Sequence, residues 1–501
     1  MSGIPRPVNV TPVPLSQLAE LISVDAAGGD IDVTGVTHSS GAVRPGDLYA
    51  ALPGANRHGA SFVASAAASG AVAVLTDSDG LAPALEAGLP ALVIDDPRAV
   101  LGAVSAAIYG EPSRRLTMIG VTGTAGKTST SYLVEAGLRA GGLVTGLVGT
   151  VETRLDDFVV KSVRTTPEAT DLQAILAAGV ERGVTAVVME VSSHALVMGR
   201  ADGIAFAAAG YTNFGQDHLD FHPTSEEYFA AKARLFDGRA AVEVLNYDDD
   251  AVMRLNNEKS VTYSASGNAG ATWWASDVRP AAFGQLFTAH GPDGVTVETG
   301  VALPGLHNVA NALLALALLS GAGIDPVVAG EGILACKGVP GRLEQVDAPG
   351  EILGVVDYAH KPNAIVAALA ALRELAGARG GQLICVIGAG GDRDKGKRPL
   401  MGEAAAHGAD LVIVTDDNPR TEDPGLIRAA VREGALSSAG AAKVIEIGGR
   451  RAAIDEAVKL ASAGDVIAVL GKGNEQGQEV GGEVLPFDDR IELAAALGGR
   501  S

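Results

Sequence analysis

The stretch Gly120-Val121-Thr122-Gly123-Thr124-Ala125-Gly126-Lys127-Thr128 follows an apolar run (Leu116, Met118, Ile119) and opens onto Ser129-Thr130-Ser131-Tyr132-Leu133-Val134. A strand, a glycine-punctuated turn and a helix start carrying Gly-Lys-Thr are the parts of a loop that cradles a nucleoside triphosphate. The glycines let backbone N–H groups approach phosphate oxygens, Lys127 supplies a point charge for the β and γ oxygens, and the Thr128 hydroxyl is placed to hold Mg2+. The spacing departs from the standard Walker form: Val121 stands where the first glycine belongs, leaving Gly-Thr-x-Gly-Lys-Thr. The competing reading is a structural turn that contains Gly-Lys-Thr by chance, in a chain with 65 glycines.

Four further stretches bear on the chemistry. Thr185 to Glu190 is an apolar strand ending in a carboxylate, followed by Val191-Ser192-Ser193-His194. An acid at the carboxyl end of a buried strand beside a phosphate loop is suited to hold Mg2+ directly or through water, and without such a loop it would be a strand end meeting solvent. Asn213 to His222 packs two Asp, two His and an Asn into ten residues, and Glu226 to Phe236 reads as a helix in which Lys232 is expected to be solvated. Leu303 to Ala312 turns into an apolar helix, with His307 and Asn308 at the position of a cap.

These residues need a large scaffold, and 501 residues at 47% hydrophobic and 19% charged content predict about three soluble globular domains. The net charge of −21 argues against a nucleic-acid surface, so the few cations must be concentrated where anionic substrates bind. Cys336 and Cys385 lie in apolar settings without Cys-x-x-Cys spacing, and read as reduced, buried thiols. The N-terminal residues lack the apolar region of a signal peptide, and Ala312 to Leu319 is too short to span a bilayer, so a cytoplasmic protein without membrane insertion is expected.

The first unit, 1–112, carries strand-like runs at Ala71 to Leu75 and Ala91 to Ile94 with an alanine-rich helix (Phe62 to Ser69) before them, and a Gly/Pro-rich loop from Thr37 to Gly54. The phosphate-loop unit runs over 113–340, and Gly338 to Glu344 reads as a linker. From 341 to 501, apolar runs (Leu383 to Ile387, Leu411 to Val414, Val444 to Ile447, Val466 to Leu470) alternate with alanine-rich segments, which predicts a mostly parallel sheet. The polar loops Gly388 to Arg398, Asp416 to Arg420 and Gly471 to Gln478 each leave a strand's carboxyl end, the edge where open α/β sheets bind ligands. A cleft shared with the phosphate-loop unit is the geometry these loops suggest.

The chain resembles the Mur ligases over nearly its whole length, and among them those that add the third peptide residue. The resemblance rests on Gly-Thr-x-Gly-Lys-Thr at 123–128, Met189-Glu190-Val191-Ser192-Ser193-His194, Asp217-His218-Leu219-Asp220-x-His222 before Lys232, Gly390 to Pro399, and Asp417-Asn418-Pro419-Arg420. It implies an α/β protein of three domains: an N-terminal UDP-binding domain, a central P-loop ATPase and a C-terminal Rossmann-like domain that brings the amino acid. The implied reaction activates the D-glutamyl side-chain carboxylate of UDP-MurNAc-L-Ala-D-Glu with ATP as an acyl phosphate, which the amine of diaminopimelate displaces. Domain closure would keep water from the acyl phosphate, and a monomer is expected.

The resemblance assigns ATP contacts to Gly123, Thr124, Gly126, Lys127, Thr128, Asn308, Arg342 and Asp357. It assigns Mg2+ to Thr128, Glu190, His218 and a carbamylated Lys232, and catalysis to Lys127, Glu190, His218 and Lys232. It gives the UDP-MurNAc-dipeptide Ser40, Thr165, Thr166, Ser192 and Arg200, and diaminopimelate Arg393, Asp417, Asn418, Arg420, Gly471 and Glu475. An ammonium cannot ligate Mg2+ whereas a carbamate oxygen can, which is the physical case for modifying Lys232. Diaminopimelate carries one carboxylate more than lysine, and Arg420 with Arg393 supplies guanidiniums for it. Four departures stand out: Ser39-Ser40-Gly41 in place of Asp-Ser-Arg, Ala125 in place of Asn, Lys361-Pro362-Asn363 in place of Thr-Pro-Asp, and Asn474 in place of His. The rival readings are ligation of L-lysine, a folylpolyglutamate-like ligase and a non-catalytic nucleotide-binding paralogue.

Overall fold

The computed structural model describes residues 4–54, 56–218, 221–437 and 442–499. Leu219 and Asp220 of the Asp-His-Leu-Asp motif lie outside the described residues. The chain divides into two compact units, Met1–Ser276 with Thr288–Thr299 and Ala310–Leu334, and Asp277–Phe287 with Gly300–Val309 and Ala335–Ser501.

Among the described residues the first unit contains a two-stranded ribbon, Val13–Pro14 with Asp32–Val33, and two larger sheets. Its N-terminal sheet has five strands in the order Ala26–Ala27, Ala91–Val93, Ala73–Thr76, Asp47–Ala50, Gly35–Thr37, with all pairs parallel except the first. Alternate residues of these strands pack on opposite faces, Leu48, Ala50, Ala73, Leu75 and Leu92 in one cluster and Tyr49, Val74 and Ala91 in the other. The helix in this region is Val63–Ala68.

The central sheet places the phosphate-loop strand Thr117–Thr122 between Ala186–Glu190 and Phe206–Tyr211, both parallel to it. Thr145–Val148 continues the sheet on one side and Ala240–Asn246 and Val261–Ser264 on the other, again parallel. Strands buried on both faces must be apolar throughout, and Met118, Ile119, Val121, Val187, Val188 and Met189 are all 0% exposed. Register does the functional work. Glu190 pairs with Val121 and Tyr211 with Thr122, so Glu190, Gly123 and Thr212 emerge together at the carboxyl edge. The strands Trp273–Ala281, Gly284–His290 and Thr296–Val301 follow, in a stretch whose pattern gave no element beforehand.

The second unit is built on a sheet in the order Glu344–Val346, Leu353–Asp357, Val466–Leu470, Leu383–Ile387, Leu411–Val414, Lys443–Glu446, antiparallel only at its first pair. Three strand expectations match residue for residue, while the fourth lies one residue earlier than Val444 to Ile447. Ile387 is in register with both Leu470 and Val414, so Gly388, Gly471 and Thr415 begin side by side on neighbouring strand ends. A small hairpin, Gly477–Val480 with Glu483–Pro486, follows the last loop and was not foreseen.

Candidate active site

In the phosphate loop Gly126 has φ +86°, and a Cβ there would sit 2.4 Å from Asn311 Oδ1, so only glycine fits. The helix Lys127–Ala140 starts directly after it. Lys127 Nζ donates to Gly123 O at 2.8 Å and Thr124 O at 3.2 Å, which holds the ammonium over the loop. Ala125, where the family has Asn, is held through its backbone: its N–H donates to Asn213 Oδ1 at 3.0 Å, and its carbonyl accepts from Thr212 Oγ1 at 2.6 Å.

Glu190 is 1% exposed, which removes the reading of a strand end meeting solvent. Its carboxylate accepts from Thr128 Oγ1 at 3.1 Å, Thr150 N at 2.8 Å and Thr150 Oγ1 at 2.9 Å. Thr150 Oγ1 also lies 3.0 Å from Thr165 Oγ1, while Thr166 Oγ1 donates to Glu190 O at 2.9 Å and accepts from Ser192 N at 3.1 Å. The P-loop hydroxyl, the acid, and three of the residues assigned to the dipeptide therefore form one hydrogen-bonded cluster. Its oxygens, one set anionic and one hydroxyl, are the donor types a hard divalent cation takes.

Lys232 is not solvated. It lies on the buried side of the helix Ser225–Ala233, 1% exposed, because Tyr228 and Phe229 on the same helix pack inward beside it. Its Nζ donates to Gly123 O at 2.8 Å and sits 4.6 Å from the Tyr228 ring centroid. Burial and the neighbouring Lys127 push its pKa well below the ordinary lysine value, against a smaller opposing pull from Asp217. The Tyr228 hydroxyl donates to Thr124 Oγ1 at 3.3 Å. His218, at φ +53°, has its ring 4.8 Å from His194 and 6.1 Å from Tyr228. His222 completes this aromatic group, 5.2 Å from Tyr228, with Nε2 3.0 Å from Ser193 Oγ.

On the dipeptide side Arg200 is buried, pairs with Glu168 at 2.7 Å, and lies 3.5 Å from Thr166 O. Arg98 and Arg164 also pair with Glu168, at 3.2 and 3.3 Å, and Arg200 with its neighbouring arginines holds that carboxyl below its ordinary range against burial. Ser40 is partly exposed and opens the turn Ser40–Ala42. Its neighbour His38 reaches Thr170 Oγ1 through Nδ1 at 3.0 Å.

In the second unit, Asp357 accepts from Leu343 N and Ala359 N, both at 2.7 Å, and burial raises its pKa while Arg342 opposes the rise. Arg342 lies over the Tyr358 ring at 4.7 Å. Asn308 donates to Pro304 O at 2.8 Å and its Nδ2 is 3.1 Å from His307 Nε2. Lys361, where the family has Thr, stands at the N-cap of Pro362–Ala378 and makes no side-chain cap hydrogen bond.

The three adjacent strand ends bring Asp417, Asn418, Arg420, Gly471 and Glu475 together. Gly471 has φ +118°, and a Cβ there would meet Asp417 Oδ2 at 2.6 Å. Asn418 Nδ2 donates to Glu475 Oε2 at 2.9 Å. Arg420, at φ +55°, is already partly engaged, with Nε donating to Glu479 Oε2 at 2.9 Å and Nη1 to Gly391 O at 2.7 Å. Among the described residues its Nη2 has no hydrogen-bond partner, so the expected two-point fork narrows to that side. Arg393 is exposed and, among the described residues, without a hydrogen-bond partner.

Residue types alone missed Thr150, Tyr228, Asn311 and Lys472, all of which touch the assigned positions. Tyr228 could have been found: it is four residues before Lys232, hence on the same helical face. The others are joined by tertiary contacts with no local signal. Cys385 is buried, with its thiol pKa pushed up to about 12, but Cys336 is only half-buried because it sits just past the end of Pro326–Ala335. Among the described residues no helix is long and apolar enough to cross a membrane.

Three segments match the Mur ligase family: residues 32–109 its catalytic-domain description, 121–319 the Mur ligase middle domain, and 341–473 the Mur ligase glutamate ligase domain. The chain is 51% identical to the UDP-N-acetylmuramoyl-L-alanyl-D-glutamate--2,6-diaminopimelate ligase of Streptomyces coelicolor, over 99% of this chain and 98% of the relative. It is 42% identical to a UDP-N-acetylmuramyl-tripeptide synthetase of Leifsonia xyli, over 98% and 97%. A solved structure of a UDP-N-acetylmuramoyl-L-alanyl-D-glutamate--2,6-diaminopimelate ligase superposes with a TM-score of 0.68 at 33% identity, over 94% of this chain and 95% of that one. A folylpolyglutamate synthase of Mycobacterium tuberculosis shares the fold, with a TM-score of 0.58 at 20% identity over 74% of this chain and 92% of that one. The chain belongs to the Mur ligase family.

Proposed function

We propose that the protein is an ATP-dependent, ADP-forming ligase that joins 2,6-diaminopimelate to the D-glutamyl side-chain carboxylate of UDP-MurNAc-L-Ala-D-Glu. The observation that carries the reading is the cluster of Asp417, Asn418, Arg420 and Glu475 on adjacent strand ends, in a chain half identical along its length to a ligase named for that reaction. A bare carboxylate does not acylate an amine at neutral pH, because its leaving group is an oxide. Transfer of the γ-phosphoryl group gives an acyl phosphate and ADP, and attack by the amine forms the amide and expels phosphate. Lys127 neutralises charge developing on the transferred group, and Gly123, Thr124 and Gly126 shape the loop around it. Thr165, Thr166, Ser192 and Arg200 orient the dipeptide, and Ser40 contacts the uridine. Asn308, Arg342 and Asp357 belong to the ATP contacts.

Thr128, Glu190, His218 and carbamylated Lys232 would hold Mg2+, which when bound draws charge from the phosphate oxygens. The Lys232 carbamate forms when its neutral amine attacks CO2, making a C–N bond and releasing one proton. Its burial and depressed pKa favour the neutral amine that this step needs. Residues 1–112, 113–340 and 341–501 are the UDP-binding, ATPase and amino-acid domains of a cytoplasmic monomer.

The test is a panel of amino acids in a phosphate-release assay with ATP and the UDP-dipeptide. Turnover with diaminopimelate well above that with L-lysine is expected. Equal turnover of the two would overturn the choice of amino acid, and Asn474 is the departure that would then favour lysine. No amino-acid-dependent phosphate release would overturn the ligase reading in favour of a nucleotide-binding paralogue.

A further inference from the structure

Lys472 follows Gly471 and precedes Gly473, and its side chain is completely buried. A buried ammonium is retained only where anions or carbonyl dipoles surround it. Its Nζ lies 3.0 Å from Asn418 Oδ1, 3.1 Å from Glu475 Oε2 and 3.9 Å from Asp417 Oδ1. Every one of these partners is a residue assigned to the incoming amino acid.

The partners also settle which way the Asn418 amide faces. One of its side-chain atoms meets Lys472 Nζ at 3.0 Å and Glu479 N at 3.0 Å, both of which can only donate. That atom must be the carbonyl oxygen, since an NH2 group there would face two donors and satisfy neither. The amide nitrogen then faces Glu475 Oε2 at 2.9 Å, an acceptor, and among the described residues its second N–H has no partner, which leaves it for a ligand. Glu479 in turn holds Arg420 Nε, so the chain of bonds from Lys472 through Asn418 ends at the guanidinium.

We infer that Lys472 is a positioning residue that locks the Asn418 amide with its donor toward the amino-acid site, so that the site accepts a distal carboxylate and disfavours an amino acid lacking one. The inference rests on the diaminopimelate reading of this site. Without the ammonium, the Asn418 oxygen keeps only the Glu479 N–H, and the amide turns its oxygen to the ligand more readily, where it repels a carboxylate. Glu475 and Asp417 also lose the cation that lies between them, which weakens the carboxylate's environment further. An apolar side chain of similar length removes all three donors while filling the same space.

The experiment compares Lys472→Met, Asn418→Asp and the double variant with the unmodified protein. It measures KM for diaminopimelate, ATP and the UDP-dipeptide, and the preference for diaminopimelate over L-lysine. Lys472→Met should raise the diaminopimelate KM and lower the preference by about tenfold or more, with the other two KM values within about twofold. Asn418→Asp keeps a partner for Lys472 but has no donor, so it should lose the same preference, and it carries the test if Lys472→Met does not fold. The double variant should lose no more preference than the worse single one, because both act through one amide. Unchanged preference in either folded variant, a loss shared equally by all three substrates, or additive losses would each overturn the inference. An unmodified enzyme that fails to discriminate removes the diaminopimelate reading and the inference with it. A discriminating enzyme with unaffected variants removes the inference alone.

Discussion

Replacing Glu190 by Gln separates the acid's structural work from its charge. The carboxylate receives three hydrogen bonds, from Thr150 N, Thr150 Oγ1 and Thr128 Oγ1, at 2.8 to 3.1 Å. A glutamine can keep its carbonyl oxygen on the Thr150 N–H and place its NH2 where both threonine hydroxyls can rotate to accept. What is lost is charge assistance, since bonds to ionised groups contribute ~1.5–3 kcal/mol each against ~1 kcal/mol for neutral ones. Over three bonds that is a loss of about 1.5–6 kcal/mol, offset in part because glutamine buries no charge, which leaves a protein in the middle of the ordinary stability range folded. If Glu190 is an anionic Mg2+ ligand, turnover should fall far more, on the order of 10²–10³-fold, as when a preorganised electrostatic group is removed from an active site. Phosphate release measured at low and high Mg2+, alongside a denaturant midpoint, tests both numbers. A partial return of rate at high Mg2+ is expected. Turnover within a few-fold of normal at low Mg2+ would refute the metal assignment, and a fall in rate no larger than the fall in folded fraction would reduce Glu190 to a structural acid.

The remaining predictions concern three side chains. Lys127→Ala should abolish ATP-dependent phosphate release without changing the unfolding transition by more than about 1 kcal/mol, since a half-buried loop lysine packs little core; retained turnover would count against the phosphate-loop assignment. Lys232 has a pKa below its ordinary value, so the folded state resists protonation: there is no penalty in alkali where both states are neutral, and it grows as pH falls and is complete below the folded value. Activity should accordingly fall in CO2-free buffer and return with bicarbonate, faster as pH rises, and full activity without CO2 would sink the carbamate. Arg420→Ala should raise the diaminopimelate KM and lessen the preference over L-lysine by about 2–5 kcal/mol of lost pairing, while leaving the ATP KM alone. An equal rise for both amino acids would place Arg420 away from the distinguishing carboxylate.

The sequence by itself determined the chemical alphabet and the buried strands around the two ligand edges, but not the strands from Trp273 to Val301 or the hairpin Gly477–Val480 with Glu483–Pro486. Short apolar runs such as Leu383 to Ile387, alternating with alanine-rich segments, read as strands buried on both faces, and the turn Gly-Thr-x-Gly-Lys-Thr announces a phosphate loop, because these are local consequences of side-chain period and backbone freedom. Lys232 shows where local reading ends. Tyr228 and Phe229 mark its helical face as inward, but only the packing of that face beside Gly123 O and Lys127 removes the charge from water and lowers its pKa. Lys472 and Asn418 make the same point, since they are far apart in the chain and meet because Leu411–Val414 and Val466–Leu470 both neighbour Leu383–Ile387 in one register. Register, burial and the direction of an amide are properties of pairs that lie distant in sequence. They are decided when the sheet closes, and residue spacing along one strand does not contain them.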